Sequence, residues 1–509
     1  MELTKRKKST YNIVFGLLGQ MVTLVLGIVI PRLFLTSFGS EMNGFLNSIT
    51  QIFAYFALLE SGVGAASLQA LYGPVGKDDK RSISKILAAT GNYYKKTGIF
   101  YYIAVFSLAI IYPLAIDSTI SPLTMSVIIL INGLPGAISY FFQGKYLILL
   151  QAEGKSYINT ALTSIISTSI SVAKIIMLLL GFDIIAIQAV YLLLNLVKVA
   201  YFWIYLKKHY GWIDLKLKPN FKAISQKNSA FIIQICDLIF RNTDTFILSL
   251  FVNLKVVSIY AIYNLLISTM STFLDHISHG FSFALGQFFN TNKKRYLQLR
   301  DAYETYRIAL VFALSSTADI FILPFLKLYT SGVNDINYIN FWLPKLFIGV
   351  FLLSALRANC AADINYAQHF KLTQTRCIIE AVINIVVSII CVNFWGIYGV
   401  LIGTIAALLY RSNDMIIYAN KRILNRSPWI TYKKALTNGL LFIVISYISS
   451  FFKLNLDSYV SILIWAAISG IIILAIYFVV ASLIDKTSFL VLKDYIKGFL
   501  KSKKQVKNN

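Results

Sequence analysis

Long apolar segments alternate with short polar connections along nearly the whole chain. A helix that crosses a bilayer needs about 20 mostly apolar residues, and by this criterion we predict about fourteen membrane spans. Their predicted cores are 12–38, 43–71, 97–117, 122–143, 156–181, 184–206, 225–251, 256–286, 303–326, 340–361, 375–394, 396–419, 436–452 and 459–484. The pattern therefore predicts an all-α, multi-pass integral membrane protein.

Basic residues fall mostly in every second connection between these spans. The intervening connections carry only Lys255, Lys327, Lys345 and Lys453. Because lysine and arginine concentrate in cytoplasmic loops, the alternation predicts an even number of spans with both termini in the cytoplasm. It also accounts for the net charge of +25, since basic loops beside an anionic leaflet require no nucleic acid.

Composition narrows the class of protein further. Hydrophobic residues make up 57% of the 509 residues and charged residues 14%, which leaves too little polar surface for a soluble protein of this length. The cysteines lie in or beside apolar segments and are expected to be buried and free, not a disulfide framework or metal site. The basic residues 5–8 lead into an apolar segment too long for a signal-peptide core, so we expect it to remain as the first span.

The connections carry little that points to catalysis. The outer ones are short, whereas an enzyme that polymerises or ligates exported glycans would usually need a sizeable outer loop for its site. The inner ones contain no phosphate-binding lysine loop, dinucleotide-binding glycine pattern or cluster of metal ligands. We therefore expect a protein that is not an enzyme and has no cofactor, driven by an H⁺ or Na⁺ gradient or by its substrate.

A weak internal repeat divides the chain. Leu35–Phe38 closes the first span and Leu248–Phe251 closes the seventh, and Tyr205 and Tyr418 are separated by the same offset. Parallel repeats of this kind build two lobes of equal orientation. We predict a six-helix lobe at 1–210, a second six-helix lobe at 211–430, two additional helices at 431–485 and a basic cytoplasmic tail at 486–509.

The segment Phe231–Phe251 carries charges in the middle of a predicted span. Helical periodicity places Asp237, Arg241 and Asp244 on one face. Charges at this depth cost several kcal/mol unless they are paired or face water, so they are functional candidates by default. Two interpretations remain open: a structural ion triad that joins helices, or the wall of a hydrophilic path.

Other charged positions extend this picture. Arg32, Glu60, Lys174 and Asp275 also lie within predicted spans and are too many to be explained as mutual structural pairs; His276 is a candidate that could equally be a packing residue. Cationic groups, arginine above all, suit an anionic headgroup such as a pyrophosphate. Near the cytoplasmic ends of spans, a charged side chain can extend to the membrane–water interface at a small cost in free energy. We expect this snorkelling for four residues: Lys198, Arg357, Arg411 and Asp414.

Scattered motifs then resemble one family, the Wzx-type lipid-linked oligosaccharide flippases of the multidrug/oligosaccharidyl-lipid/polysaccharide (MOP) exporter superfamily. The resembling stretches are Phe38–Asn47, Leu58–Gly64, Tyr146–Tyr157, Asn242–Asp244, Val257–Tyr260, Tyr263–Asn264, Ile379–Asn384 and Gly396–Thr404. The resemblance implies two pseudo-symmetric six-helix bundles in a bacterial plasma membrane. It also implies transport of undecaprenyl-pyrophosphate-linked oligosaccharide repeat units to the outer leaflet for capsule or another surface polysaccharide.

The resemblance further implies roles for particular residues. Arg32 and Arg241 would contact the pyrophosphate, Glu60 matches the family's Glu-x-Gly and Asp244 its Thr-Asp. The two C-terminal spans would shape a groove for the lipid tail. Expected partners are membrane lipids and the polymerase and glycosyltransferases of the same pathway. Alternatives are a lipid II flippase and a cation or multidrug exporter of the same superfamily, the latter opposed by the cations Arg32, Lys174 and Arg241.

Overall fold

The structure is a computed structural model that describes residues 5–221, 229–451 and 456–494. Within these ranges it describes side chains except at 5–25, 57–62, 65, 229–231, 233–234, 279–280, 283–284 and 290. The described residues are mostly helical and contain no strand. This confirms the predicted all-α fold class.

Fourteen α-helices are assigned within the described residues. Their bounds are α1 Lys5–Gly76, α2 Lys80–Ala115, α3 Pro122–Phe142, α4 Gly144–Ala152, α5 Ser156–Leu179, α6 Ile184–His209, α7 Ser229–Phe251, α8 Leu254–Thr291, α9 Lys293–Tyr329, α10 Trp342–Tyr366, α11 Phe370–Trp395, α12 Ile397–Tyr418, α13 Trp429–Ser449 and α14 Tyr459–Ile484. A π-helical turn, Ala419–Ile423, follows α12.

These helices correspond to the predicted spans with two differences. The first two spans are two arms of α1, which bends at Gly39 because that residue adopts φ 79° and ψ 178°, a conformation that favours glycine. The short helix α4 was not predicted. In the described part of the chain, ten helices are long and apolar enough to cross a membrane; α1, α7 and α13 are not among them.

Backbone contacts divide the chain into two compact units. The first comprises 1–261 with 332–336, and the second comprises 262–331 with 337–509. Helix α7 therefore belongs to the first unit, where it packs against α1. The lobes that the sequence repeat predicts, 1–210 and 211–430, are defined by similarity between helices and not by contacts, so this division stays a prediction.

In the first unit, α1 approaches the start of α8 closely. Gly44 lies against the backbone of Leu254, so that a Cβ on Gly44 would stand 1.7 Å from the Leu254 carbonyl oxygen. Beside it, the Asn43 amide donates a hydrogen bond of 2.6 Å to the Ser258 hydroxyl. Glycine at this position permits the helices to approach, as small residues do at many membrane helix interfaces.

In the second unit, a buried ionic network joins the ends of α9, α10 and α13. Arg300 pairs with Glu304 at 2.7 Å and with Asp363 at 2.9 Å. Lys434 contacts Glu304 at 3.2 Å and Asp485 at 3.6 Å. The side chains of Arg300, Glu304 and Asp363 are almost fully buried. These residues therefore hold helices together, in addition to any topological role of their positive charges.

Asp485, just beyond α14, completes this network. Partial burial opposes its ionisation, but hydrogen bonds from Ser488, Thr487 and Thr305 lower the pKa of Asp485 to about 2. The carboxylate is therefore ionised at neutral pH and can pair with Lys434. It also accepts a hydrogen bond from the Ser488 amide at 3.0 Å, which anchors the start of the segment after α14.

Replacement of Gly44 by alanine should destabilise the protein. The added methyl group meets the Leu254 backbone, and overpacking of this kind costs about 1–3 kcal/mol or more. Gly73→Ala is the matched control, because nothing lies within 4 Å of the position of its Cβ. Thermal unfolding in detergent should show a lower Tm for Gly44→Ala only; equal Tm values for the two variants would contradict this packing.

Neutralising Glu304 should also destabilise the second unit. Glu304→Gln leaves Arg300 and Lys434 buried without their shared carboxylate, and breaking a buried ion pair costs about 3–5 kcal/mol. Asp457→Asn, at an exposed position before α14, serves as the control. A Tm of Glu304→Gln equal to that of Asp457→Asn would show that the network contributes little to stability.

Candidate functional site

Asp237 and Arg241 form an exposed ion pair on α7. The Arg241 Nε donates to an Asp237 carboxylate oxygen at 2.9 Å, one helical turn away. The side chains are 71% and 49% exposed, respectively. Both residues lie within a predicted span, where exposure to lipid would be costly. The hydrophilic face that the sequence predicts around Asp237 and Arg241 stays a prediction, for which this exposed pair is the candidate.

Asp244 has a different environment, although it shares the helical face. It is 2% exposed and accepts a hydrogen bond of 3.0 Å from the Tyr260 hydroxyl of α8. Nearby, the Thr243 hydroxyl contacts the Tyr55 hydroxyl of α1 at 2.9 Å. The second half of α7 is thus packed against α1 and α8, whereas in its first half Asp237 is exposed beside the buried residues Cys236 and Phe240. The three charges do not form one open surface, because depth along the helix separates them.

Lys174 of α5 is held between aromatic rings of two other helices. Its ammonium nitrogen lies 5.8 Å from the ring centre of Phe34 of α1 and 5.1 Å from that of Tyr191 of α6. Both distances are in the range of cation–π attraction. Among the described residues, no carboxylate forms an ion pair with Lys174. This ammonium group is consequently available to an anionic ligand without first breaking an ion pair.

The remaining predicted site residues are distributed along the chain. Arg32 is half-buried on the first arm of α1, two residues from the Phe34 ring that contacts Lys174. The side chain of Glu60 lies outside the described residues. Asp275 and His276 are exposed on α8 and belong to the second unit. The structure therefore brings together Asp237 with Arg241, and Lys174 with the arm of α1 that bears Arg32.

The second unit contains a charge cluster that the sequence analysis did not assemble. Arg411 contacts Glu380 at 3.3 Å and Asp414 at 2.7 Å, and Arg357 and Arg376 pair with the same two carboxylates. Arg411 is 1% exposed, so the expectation that it snorkels to the interface is wrong. Helices α11 and α12 supply the carboxylates Glu380 and Asp414 within ion-pair distance of Arg411, so its charge is neutralised inside the protein. The sequence signal that could have revealed this cluster is the helical spacing of polar and charged residues on α11 and α12.

No protein-family model matches the sequence, and no curated protein matches it. Among solved structures, the chain is similar to the lipid II flippase MurJ in an inward closed conformation. The TM-score is 0.62 at 16% identity, over 93% of this chain and 99% of that one. It is also similar to an inward-facing multidrug resistance MATE family transporter of the MOP superfamily. There the TM-score is 0.61 at 13% identity, over 79% of this chain and 95% of that one.

These similarities show that the chain has the helical fold shared by those membrane transporters. At such low identities they do not distinguish a Wzx-type flippase from other proteins with the fold. The ten candidate spans and the shared fold agree with a multi-pass membrane protein.

Removal of the Lys174 charge should leave stability almost unchanged. Lys174→Met removes a desolvated ammonium that has no carboxylate partner among the described residues, so no ion pair is broken. Arg411→Met, in contrast, leaves Glu380 and Asp414 short of a partner and should lower the Tm. The two variants are compared by thermal unfolding in detergent. A decrease in Tm for Lys174→Met as large as that for Arg411→Met would assign Lys174 a structural role.

Proposed function

We propose that this protein is a flippase that moves undecaprenyl-pyrophosphate-linked oligosaccharide repeat units from the cytoplasmic to the outer leaflet of a bacterial plasma membrane. These oligosaccharide repeat units would be used to build capsule or another surface polysaccharide. The fold shared with a lipid II flippase and a MATE transporter supports a transporter of this superfamily. The assignment of lipid-linked oligosaccharide repeat units as the substrate rests on the motifs in the sequence and on the chemistry of the cations.

The observation that carries the proposal is the exposed Arg241–Asp237 pair. Among the described residues, Arg241 forms its ion pair through Nε, so both terminal nitrogens of the guanidinium remain for a ligand. A guanidinium can grip a phosphate with two parallel hydrogen bonds. Asp237 orients the arginine and lowers the free-energy cost of its charge within the span when no substrate is bound. Lys174 and Arg32 would supply further positive charge for a pyrophosphate.

The mechanism we infer is alternating access, as in other transporters built from repeated lobes. The headgroup enters from the cytoplasmic side, its phosphates contact the cations, and the polyprenyl tail remains in lipid. Asp237, Asp244, Asp275, His276 and Glu60 are candidates for contacts with the sugars or for coupling to H⁺ or Na⁺. The polymerase and glycosyltransferases of the same pathway would act after and before this step.

A lipid II flippase is the second candidate, because the solved MurJ structure aligns with almost the whole chain and its substrate would present the same pyrophosphate chemistry. A cation or multidrug exporter is disfavoured, because such a substrate would be repelled by Arg241, Lys174 and Arg32. The first two candidates differ in the sugars attached to the lipid, so they are separated by identifying the intermediate that accumulates.

Substitution of Arg241 tests the proposal directly. In cells that depend on this protein, Arg241→Ala should reduce surface polysaccharide roughly tenfold or more, because a charge-assisted hydrogen bond contributes about 1.5–3 kcal/mol. The lipid-linked precursor should accumulate on the cytoplasmic side, as measured by mass spectrometry of extracted lipids. Arg241→Lys keeps the charge without the planar fork, and should show an intermediate loss.

The control is Lys96→Ala, which removes an exposed cation of α2. Protein levels are compared by immunoblotting of membranes. Normal polysaccharide from Arg241→Ala at normal protein levels would refute the role of this arginine. Accumulation of lipid II would favour the second candidate, and altered drug sensitivity with normal precursor levels would favour an exporter.

A further inference from the structure

A groove lies between the end of α14 and the chain that follows it, within the second unit. The residues 486–494 are helical, and we call them the C-terminal segment. The groove has a volume of about 610 Å³, within the range of about 300–1,000 Å³ that is typical of ligand pockets. Every lining residue belongs to α14 or to the C-terminal segment. It is therefore not formed between the two C-terminal spans, where the family resemblance implies a groove for the lipid tail of the substrate.

Hydrogen bonds to α9 fix both walls of the groove. The Asp485 carboxylate, between α14 and the C-terminal segment, accepts hydrogen bonds from the Ser488 amide at 3.0 Å and from the Thr305 hydroxyl of α9 at 2.8 Å. On the α14 side, the Ser482 hydroxyl lies 2.9 Å from the Tyr306 hydroxyl of α9. The angle between the two helical stretches is thus determined by the protein itself.

The walls of the groove are mostly apolar. Val479 and Leu483, one turn apart, line it from α14, and Phe489 and Leu490 line it from the C-terminal segment. These four side chains nevertheless remain exposed. Because apolar surface is stabilised by contact with other apolar groups, the walls suit a hydrocarbon chain.

Lysines lie at both ends of the apolar face of the C-terminal segment. Lys486, Phe489, Leu490 and Lys493 have the spacing of one helical face, and both lysines are exposed. Neither forms an ion pair among the described residues. The adjacent Asp485 carboxylate is already engaged by its own hydrogen bonds. The segment thus presents two ammonium groups beside an apolar groove.

The sequence continues this positive charge. Residues 486–509 include seven lysines and one aspartate, and the distribution of basic residues predicts that this tail is cytoplasmic. The cytoplasmic leaflet carries anionic lipids, and clusters of about four to eight basic residues just inside a span attract them. Charge complementarity therefore favours an anionic headgroup over a zwitterionic one.

We propose that the groove between α14 and the C-terminal segment binds an anionic phospholipid of the cytoplasmic leaflet. One acyl chain lies against the apolar walls, and the headgroup phosphate accepts charge-assisted hydrogen bonds from Lys486 and Lys493. The fixed angle at Asp485 keeps the lysines and the apolar walls within reach of one lipid molecule. The inference does not depend on which substrate the protein transports.

Lipid retention by the purified full-length protein tests the headgroup contact. Native mass spectrometry compares phosphatidylglycerol with phosphatidylethanolamine of the same acyl chains, each added in detergent. The wild type should retain phosphatidylglycerol at least roughly fivefold better, and Lys486→Gln should lose about fivefold of this preference, the effect of one lysine beside an anionic lipid.

The matched control is Lys421→Gln, which removes the same charge from an exposed position in the turn after α12. It should keep the preference of the wild type. Equal retention of the two lipids by the wild type would overturn the proposal. An equal loss in Lys486→Gln and Lys421→Gln would also overturn it, because the lipid would then respond to net charge and not to this site.

A pair of leucine substitutions on α14 tests the acyl-chain contact. Leu483→Ser places a hydroxyl group in the groove, whereas Leu463→Ser does so outside it, at a similarly exposed position (66% and 69%) of the same helix. Retention of phosphatidylglycerol should fall roughly tenfold for Leu483→Ser, as expected when a covered leucine side chain is lost. It should be unchanged for Leu463→Ser. Equal retention by the two variants would contradict an acyl chain in the groove.

A photo-reactive side chain identifies the occupant in membranes of cells that express the protein. Phe489→p-benzoylphenylalanine should give an adduct with an anionic phospholipid, detected by mass spectrometry of the digested protein. An adduct only with an undecaprenyl lipid would assign the groove to the transported substrate, and one only with a protein or with residues 495–509 would assign it to that partner. Each of these results would overturn the proposal. None of the measurements uses transport, so failure of the proposed function leaves them decisive.

Discussion

The cost of placing charge in hydrocarbon constrains the whole molecule. Each backbone polar group in a membrane span must be satisfied within the protein, which is why the predicted spans are helical. Each charged side chain must then find a partner, reach an interface or face water. Because the chain places many charges within its predicted spans, its architecture can be understood from how each of them meets this requirement.

The structure shows three solutions to this requirement. Arg411 is buried and paired with carboxylates of its own and a neighbouring helix. Lys174 is placed against two aromatic rings. Arg241 remains mostly exposed with one carboxylate partner. Of these three cations, Lys174 and Arg241 are the ones that the proposed function uses, together with Arg32.

The bend at Gly39 gives the two arms of α1 different neighbours. It separates the arm that bears Arg32 from the arm that packs against α7 and the start of α8. The second arm begins at the buried Ser40, whose amide donates a hydrogen bond to Asp335. One backbone conformation, accessible to glycine at little cost, thus determines which part of α1 carries a candidate site residue and which part is packed.

The sequence by itself determined the helical class, the location of most of the helices and the presence of charges within the predicted spans, because these follow from hydrophobic length and local periodicity. Periodicity also placed Asp237 beside Arg241, since residues four apart meet on any helix. The tertiary structure alone decided that Asp244 is buried against Tyr260, that Arg411 is paired instead of snorkelling and that Ser40 meets Asp335. Each of these depends on which helices are neighbours and at what depth, and the pattern along one chain contains no measure of either.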